Sequence, residues 1–322
     1  MDNITHTLTG VLLARAGLSR FSPRATLISA IAANIPDIDA VSLLGGTATY
    51  FVYHRWATHA ILFAPLMAIL PVLGVAAIFR QKLPWIRAWL ISLVAVASHL
   101  LLDFTNMYGI RLWLPFSEEW PALNSTHVID IWIWAALLAG CVWPWLSGLV
   151  SSEIGAKRSA GRGIAVAALT VVAIYNTGRV FLHSRAVETL ESRIYQGAAP
   201  VRSVAVPHSI NPLYWNGWVE TDRAWLKVDV NLNQEFNPQP LATHWKPDAH
   251  PAVDAVRHLR LFQVLSAFAQ TPYWRITPVE EPAGANQVEL IDLRFGRNGS
   301  MGFTASAIVD STGRVLRSDL HF

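Results

Sequence analysis

An apolar run at residues 84–104 is long enough to cross a lipid bilayer, yet it carries a histidine and an aspartate near its end. His99 and Asp103 are four residues apart, so on a helix they lie on one face, one turn apart. Both groups are costly at the end of a membrane helix unless another group pairs with them. Because neutral imidazole and carboxylate are both zinc ligands, the pair indicates a metal site.

The composition indicates that much of the chain lies in a membrane. Hydrophobic residues make up 52% of the 322 residues and charged residues only 15%, which is too apolar for an ordinary soluble protein. The net charge is +3 and no block of lysine and arginine occurs, so we expect no nucleic-acid partner. The single cysteine, Cys141, excludes an intrachain disulfide.

Six apolar segments precede a more polar region. They are two short arms of a hairpin at 3–44, a run to Phe79, the run at 84–104, a run to about Val150 and a run at 163–182. Basic turns at 15–24, 80–87 and 157–162 follow the first, third and fifth segments. The positive-inside rule places these turns in the cytoplasm and both termini outside. We therefore predict a mainly α-helical, polytopic transmembrane bundle over residues 1–182.

Residues 183–322 predict a separate α+β domain on the periplasmic side of the membrane. The alternating and amphipathic patterns favour strands at Trp218–Glu220, Ala224–Val230, Gln287–Phe295, Met301–Asp310 and Arg314–Leu320, with a helix at Ala252–Ala269. His244 and His250 are interpreted as ordinary loop residues of this domain.

This topology gathers histidines and aspartates at the outer ends of the segments. They are His6, Asp37, Asp39, His54, His59, His99, Asp103, His127 and Asp130. A single histidine at a membrane interface is more often a capping or hydrogen-bonding residue than a ligand. A set of several histidines and aspartates at one level can hold two metal ions about 3.5–4 Å apart. We therefore favour a metal site over a purely structural role.

Five motifs resemble a known family in order and spacing. They are Met1–His6, Asn34–Asp39, His54–His59, Ser98–Asp103 with Thr105 and Tyr108-Gly109, and Pro115–Ser117. They resemble the YdjM-like family, bacterial inner-membrane proteins described as metal-dependent hydrolases. The resemblance covers about the first 130 residues, while the C-terminal part resembles longer members only loosely, through Asn211–Trp215.

That family is distantly similar to zinc-dependent phospholipase C and the S1/P1 nucleases. The similarity implies one to three divalent ions, zinc above all, with these ligands: His6, Asp37, His59, His99 and Asp103, then Asp39 and His54. Two departures concern the ends of the ligand set. Met1 offers nothing comparable to the amino-terminal tryptophan ligand of the phospholipases, and His127 and Asp130 are candidate substitutes for their last ligands. Trp56 stands where the family commonly has glycine, which narrows the expected site.

The predicted function is hydrolysis of a phosphoester or related bond, by metal-activated water, in a membrane lipid or lipid-linked substrate. Asp37 or Asp39 would orient or deprotonate the water. Arg55 is predicted to bind a substrate phosphate or, equally well, to hold Asp37 or Asp39 in place. Thr58 and Ser98 are interpreted as capping or packing hydroxyls. Two alternatives remain: a non-enzymatic membrane protein with a structural zinc site, and a proton- or cation-coupled transporter.

Overall fold

A computed structural model describes residues 1–153, 161–296 and 302–321. Most of the predicted basic turn at 157–162 and the first residue of the strand predicted at Met301 lie outside the described residues. The chain forms two compact units. The first comprises Met1–Asp39, Arg55–Leu182 and Pro207–Pro212, and the second comprises Ala40–His54, His183–Val206 and Leu213–Phe322. Residues 40–54, which the sequence analysis placed in the membrane-embedded domain, therefore group with the second unit.

The α-helices follow one another along the chain with short 3-10 helices between some of them. They are α1 (Asn3–Ala16), α2 (Ala25–Ala32), α3 (Thr47–Tyr53), α4 (Ala64–Met67), α5 (Ile69–Phe79), α6 (Trp85–Thr105), α7 (Ile131–Glu153), α8 (Arg162–Glu191), α9 (Pro251–Arg257) and α10 (Arg260–Phe268). A long 3-10 helix, Ile35–Gly45, follows α2. Pro36 disfavours α-helix at the residue before it, so α2 ends just upstream and the two aspartates lie in the 3-10 segment.

Three helical segments among the described residues are long and apolar enough to cross a membrane. They are Ile61–Phe79, α6 and α8. A fourth span results if α2 and the 3-10 helix that follows are taken as one segment bent by 44°. Helix α1 has only 14 residues, fewer than the roughly 20 that span a bilayer. The predicted count of six apolar segments is therefore larger than the number of full-length spans described.

Small residues bring the helices of the first unit close together. Gly10 of α1 faces α2, and alanines of α2, α4 and α6 form a buried cluster that includes Ala32, Ala64 and Ala95. Larger apolar side chains fill the space between α1, α7 and α8, where Leu12 is fully buried. Close backbone approach through small residues is typical of helix packing in membranes, where the hydrophobic effect gives little drive for association.

Substitution of Gly10 by alanine is expected to destabilise the first unit by about 1–3 kcal/mol, as overpacking commonly does. A Cβ atom there would lie 2.6 Å from the carbonyl oxygen of Ser29 and 3.0 Å from Cβ of Ala33, so two helices would have to separate. The control is Gly74→Ala in α5, where an added Cβ meets nothing within 4 Å. Thermal unfolding of the detergent-solubilised protein measures both, and equal midpoints for the two variants would contradict the prediction.

The second unit contains two β-sheets and the short helices α3, α9 and α10. Its strands are β1 (Arg202–Pro207), β2 (Tyr214–Glu220), β3 (Ala224–Lys227), β4 (Val230–Asn231), β5 (Ala242–Trp245), β6 (Pro272–Pro278), β7 (Asn286–Asp292), β8 (Thr304–Val309) and β9 (Val315–His321). One sheet has the order β1-β2-β3-β5, with β4 paired to β2, and the other is the meander β6-β7-β8-β9. The C-terminal region is therefore a mixture of sheet and helix.

Details of this unit differ from the sequence prediction. The helix predicted over 252–269 is interrupted, because Leu259 adopts an extended conformation between α9 and α10. His250 is the N-cap of α9, where its Nδ1 accepts a hydrogen bond from the amide of Ala252. His244 lies in β5 rather than in a loop, and its ring contacts Trp218 and Tyr273.

Candidate metal centre

Four of the predicted ligands converge in the first unit. One ligand atom from each of Asp37, His59, His99 and Asp103 lies within 4.8 Å of the others. The two α6 residues occupy one face of the helix, as their spacing requires. Asp37 comes from the 3-10 helix after α2, and His59 ends a short 3-10 turn at Ala57–His59. Segments far apart in the sequence therefore meet at one point.

The break after α2 orients the imidazole of His99. The amide of Asp37 bonds to the carbonyl of Asn34 in 3-10 fashion, so the carbonyl of Ala33 is left out of an α-helical ladder. That carbonyl lies 2.7 Å from Nδ1 of His99, and a carbonyl can only accept. Nδ1 of His99 therefore donates, and in the neutral ring Nε2 carries the lone pair.

His59 is oriented in the same way by a hydroxyl and a carboxylate. The Thr58 hydroxyl donates to Oδ2 of Asp39 at 3.1 Å, so its oxygen is the acceptor for Nδ1 of His59 at 3.0 Å. Oδ2 of Asp39 itself lies 3.4 Å from the same nitrogen. Asp39 thus lies behind His59, on the side away from the group of four. Such outer-shell contacts fix the tautomer of metal-binding histidines in proteins.

The consequence is an excess of acceptors at the centre of the group. The Nε2 atoms of His59 and His99 are 3.1 Å apart, although both point lone pairs into the same space. Oδ1 of Asp37 lies 3.5 and 3.7 Å from these nitrogens, and Oδ2 of Asp103 lies 3.5 and 3.4 Å from them. Two imidazole nitrogens and two carboxylate oxygens that lie within 4.8 Å of one another could hold a metal ion. The donor set, two imidazoles and two carboxylates, fits zinc.

Asp103 is held by several further groups that the sequence analysis did not identify. Its Oδ1 accepts from Nδ2 of Asn106 at 3.2 Å and also contacts the α-amino group of Met1. The side chains of Met1 and Asp103 are fully buried. Met1 was predicted to offer nothing comparable to the terminal ligand of the phospholipases, and in the structure its α-amino group pairs with Asp103 and lies outside the group of four. Asn106 follows the last turn of α6, three residues after Asp103, which is the only sequence signal for its role.

The side chain of Arg55 pairs with Asp103. Its Nη2 is 2.9 Å from Oδ2 of Asp103, and its Nη1 donates to the carbonyl of Gly109 at 2.7 Å. Its backbone amide donates to Oδ2 of Asp39 at 2.7 Å, so the prediction that Arg55 holds Asp39 applies to the main chain. Arg55 has φ of 51°, a left-handed conformation that costs about 1–2 kcal/mol for a residue with a Cβ. These three contacts hold it there.

His6 lies beside the group without belonging to it. Its ring stacks on His99 with centroids 3.8 Å apart, and its Nε2 is 3.4 Å from Oδ1 of Asp103. The ring is fully buried, and neither nitrogen has a hydrogen-bond partner among the described residues. Asp103 therefore presents one oxygen toward His59 and His99 and the other toward His6.

The remaining predicted site residues have local roles in the described structure and lie outside the group of four. The ring of His54 stacks on Tyr50, within the second unit. Nδ1 of His127 contacts the backbone of Ile129 in its own turn. Asp130 caps α7 by accepting from the amides of Trp132 and Ile133, and burial raises the pKa of its carboxyl. Lone histidines and aspartates near helix starts commonly act in this way.

A family comparison agrees with the first unit. The profile of the family described as YdjM inner membrane protein matches residues 1–186, which is more than half of the chain. The chain belongs to this family. The matched region contains all four clustered residues, and membership in an inner-membrane family together with the apolar helices identifies a membrane protein.

One relative of this YdjM member extends over nearly the whole chain. "Uncharacterized protein YfhP" of Bacillus subtilis (strain 168) is 24% identical over 322 residues, covering 95% of this chain and 90% of the relative. No solved structure matches the chain significantly. The similarity to zinc-dependent phospholipases and S1/P1 nucleases therefore stays a prediction, as does hydrolysis itself.

Proposed function

We propose that this YdjM-family protein is a metal-dependent hydrolase of a phosphoester or related bond in a membrane lipid or lipid-linked substrate. Asp37, His59, His99 and Asp103 would hold a divalent ion, zinc above all, with His6 beside them. The supporting feature is the convergence, within 4.8 Å, of the Nε2 atoms of His59 and His99 and of one carboxylate oxygen each from Asp37 and Asp103. A bound zinc ion supplies a Lewis acid and lowers the pKa of a coordinated water.

The accessibility of Asp37 carries the proposal for catalysis rather than for a structural metal. The side chain of Asp37 is 17% exposed, whereas those of His59, His99 and Asp103 are fully buried. Asp37 also lines an open cavity of about 530 Å³. Structural zinc sites are closed by protein ligands, while catalytic sites keep a position open to water and substrate. The opening at Asp37 supports the second kind of site.

Each protein group then has a definite task. Asp39 and the Thr58 hydroxyl orient His59 so that its Nε2 points into the site. The carbonyl of Ala33 orients His99 in the same way. Arg55 holds Asp103 by its guanidinium, which makes it a positioning residue. We propose that the second carboxylate oxygen of Asp37 accepts a proton from the attacking water. Asp37 is suited to this role because it lines the cavity, unlike the other three residues of the group.

We further propose a multi-pass arrangement in the bacterial inner membrane with the second unit in the periplasm. The basic turns at 15–24 and 80–87 stand at the C-terminal ends of α1 and α5. The positive-inside rule favours a cytoplasmic position for these ends. The site residues lie at the other ends of these segments. A site at that level would meet lipid headgroups, which is the reason for proposing a lipid substrate.

The test is metal analysis of the detergent-purified protein together with hydrolysis of bis(p-nitrophenyl) phosphate and of phospholipid vesicles. We expect bound zinc and measurable hydrolysis, and a loss of about 10²–10⁴-fold in rate for Asp37→Asn, the usual contribution of a positioned acid or base. The control is Asp222→Asn, an exposed carboxylate in the turn between β2 and β3. Retention of zinc without any turnover would indicate a structural site, and absence of metal would contradict the whole proposal.

A further inference from the structure

A groove with two chemically different walls leads to Asp37. Helix α1 contributes the polar side chains of Asn3 and Thr7, and the other wall is mainly aliphatic, with Ile31 and Ile38. Asn34 joins the walls, because its Nδ2 donates to the hydroxyl of Thr7 at 2.9 Å. The groove and the cavity at Asp37 are the same space of about 530 Å³, within the range of sites for small organic molecules.

The aliphatic wall belongs to a segment suited to a membrane environment. Ile31 lies in α2 and Ile38 in the 3-10 helix, which together form a bent segment long and apolar enough to cross a membrane. Their side chains are 37% and 50% exposed, respectively. Exposed isoleucines on such a segment face acyl chains more favourably than water.

The charges of the groove argue against a small soluble phosphate ester as the ligand. Among the described residues that line it, Asp37 is the only charged one, and neither lysine nor arginine is present. Proteins usually recognise a soluble phosphate through Arg or Lys side chains or helix N-termini. Here binding has to come from apolar contact along the isoleucines and from the metal centre at the end of the groove.

We propose that the groove admits one acyl chain of a membrane phospholipid from the side, along Ile31 and Ile38, so that the headgroup phosphate reaches the opening at Asp37. Asn3 and Thr7 on the opposite wall then face the glycerol and headgroup oxygens, for which amide and hydroxyl groups are suitable partners. The proposal rests on the proposed function, because it treats Asp37 as the entrance to a metal centre.

Photolabelling tests the groove separately from hydrolysis. The protein is placed in vesicles of phosphatidylethanolamine and phosphatidylglycerol that contain a phosphatidylethanolamine with a diazirine in its acyl chain. We expect label on residues 30–38, and a several-fold loss of it for Ile31→Trp, because the indole fills the groove. The matched control is Leu27→Trp, one turn away on α2 and equally exposed at 37%. It should leave labelling of residues 30–38 as in the unmodified protein.

Metal content distinguishes the possible failures. If Ile31→Trp and Ile38→Trp both retain the metal of the unmodified protein and both label residues 30–38 as strongly as the control, the groove proposal is overturned while the proposed function stands. If the unmodified protein binds no metal, the proposed function fails, whatever the labelling shows. If Ile31→Trp loses its metal, we infer that this variant does not fold. Ile38→Trp then tests the groove at a second position.

Discussion

Replacement of His99 by alanine is expected to abolish tight metal binding. The variant removes one of two Nε2 atoms that lie 3.1 Å apart and leaves the carboxylate oxygens of Asp37 and Asp103 with fewer partners. The loss of affinity should exceed the roughly 10–100-fold that changes in outer-shell partners produce. Competition with a chromophoric chelator, using the purified full-length protein and zinc, measures it.

Two further variants calibrate this result. Asp39→Asn changes the carboxylate behind His59 and leaves the group of four intact, so we expect its zinc affinity to fall by about 10–100-fold, less than for His99→Ala. Ser98→Ala is adjacent to His99 but removes only a hydroxyl that donates to the carbonyl of Ala95 in the same helix, and it should bind zinc normally. Equal zinc affinity for His99→Ala and Ser98→Ala would show that the group of four does not bind the metal.

The sequence predicted those features of the metal centre that depend on residues close together in the chain. The four-residue separation of His99 and Asp103 placed both on one face of a helix, and Pro36 predicted the break that carries Asp37. Spacing could not decide between neighbouring candidates. Asp37 and Asp39 are two residues apart, yet only the first enters the group of four, because the 3-10 turn directs the second to the far side of His59.

The second unit shows a similar limit. No strand was predicted at β6, whose sequence begins and ends with proline. Proline lacks an amide donor and usually disrupts a central strand. Among the described strands β6 lies at the edge of its sheet and pairs with β7 alone, so Pro272 and Pro278 are tolerated there. Edge position is a property of the assembled sheet and has no local signature. The strands β7, β8 and β9, with their alternating apolar residues, were largely anticipated.

Asp292→Ala is expected to destabilise the second unit by about 3–5 kcal/mol, as the removal of one partner from a buried ion pair commonly does. Asp292 and Arg294 have fully buried side chains, with Nη2 of the arginine 2.6 Å from Oδ2 of the aspartate. Thr271 also donates to Oδ1 of Asp292 at 2.8 Å. The variant would leave the Arg294 guanidinium in the interior without its carboxylate partner, while Nη2 still donates to the carbonyl of Phe268 at 3.0 Å. Denaturant titration followed by tryptophan fluorescence measures the loss.

The same unit contains an exposed pair with the same spacing, which separates burial from charge pairing as the cause. Arg317 and Asp319 form a salt bridge on β9, with side chains 74% and 41% exposed. Water solvates either partner once the other is removed, so Asp319→Ala should cost at most about 1 kcal/mol. If Asp292→Ala and Asp319→Ala lower the free energy of unfolding by the same amount, burial is not the cause of the loss. A large difference means that Arg294 depends on Asp292 because its charge is removed from water.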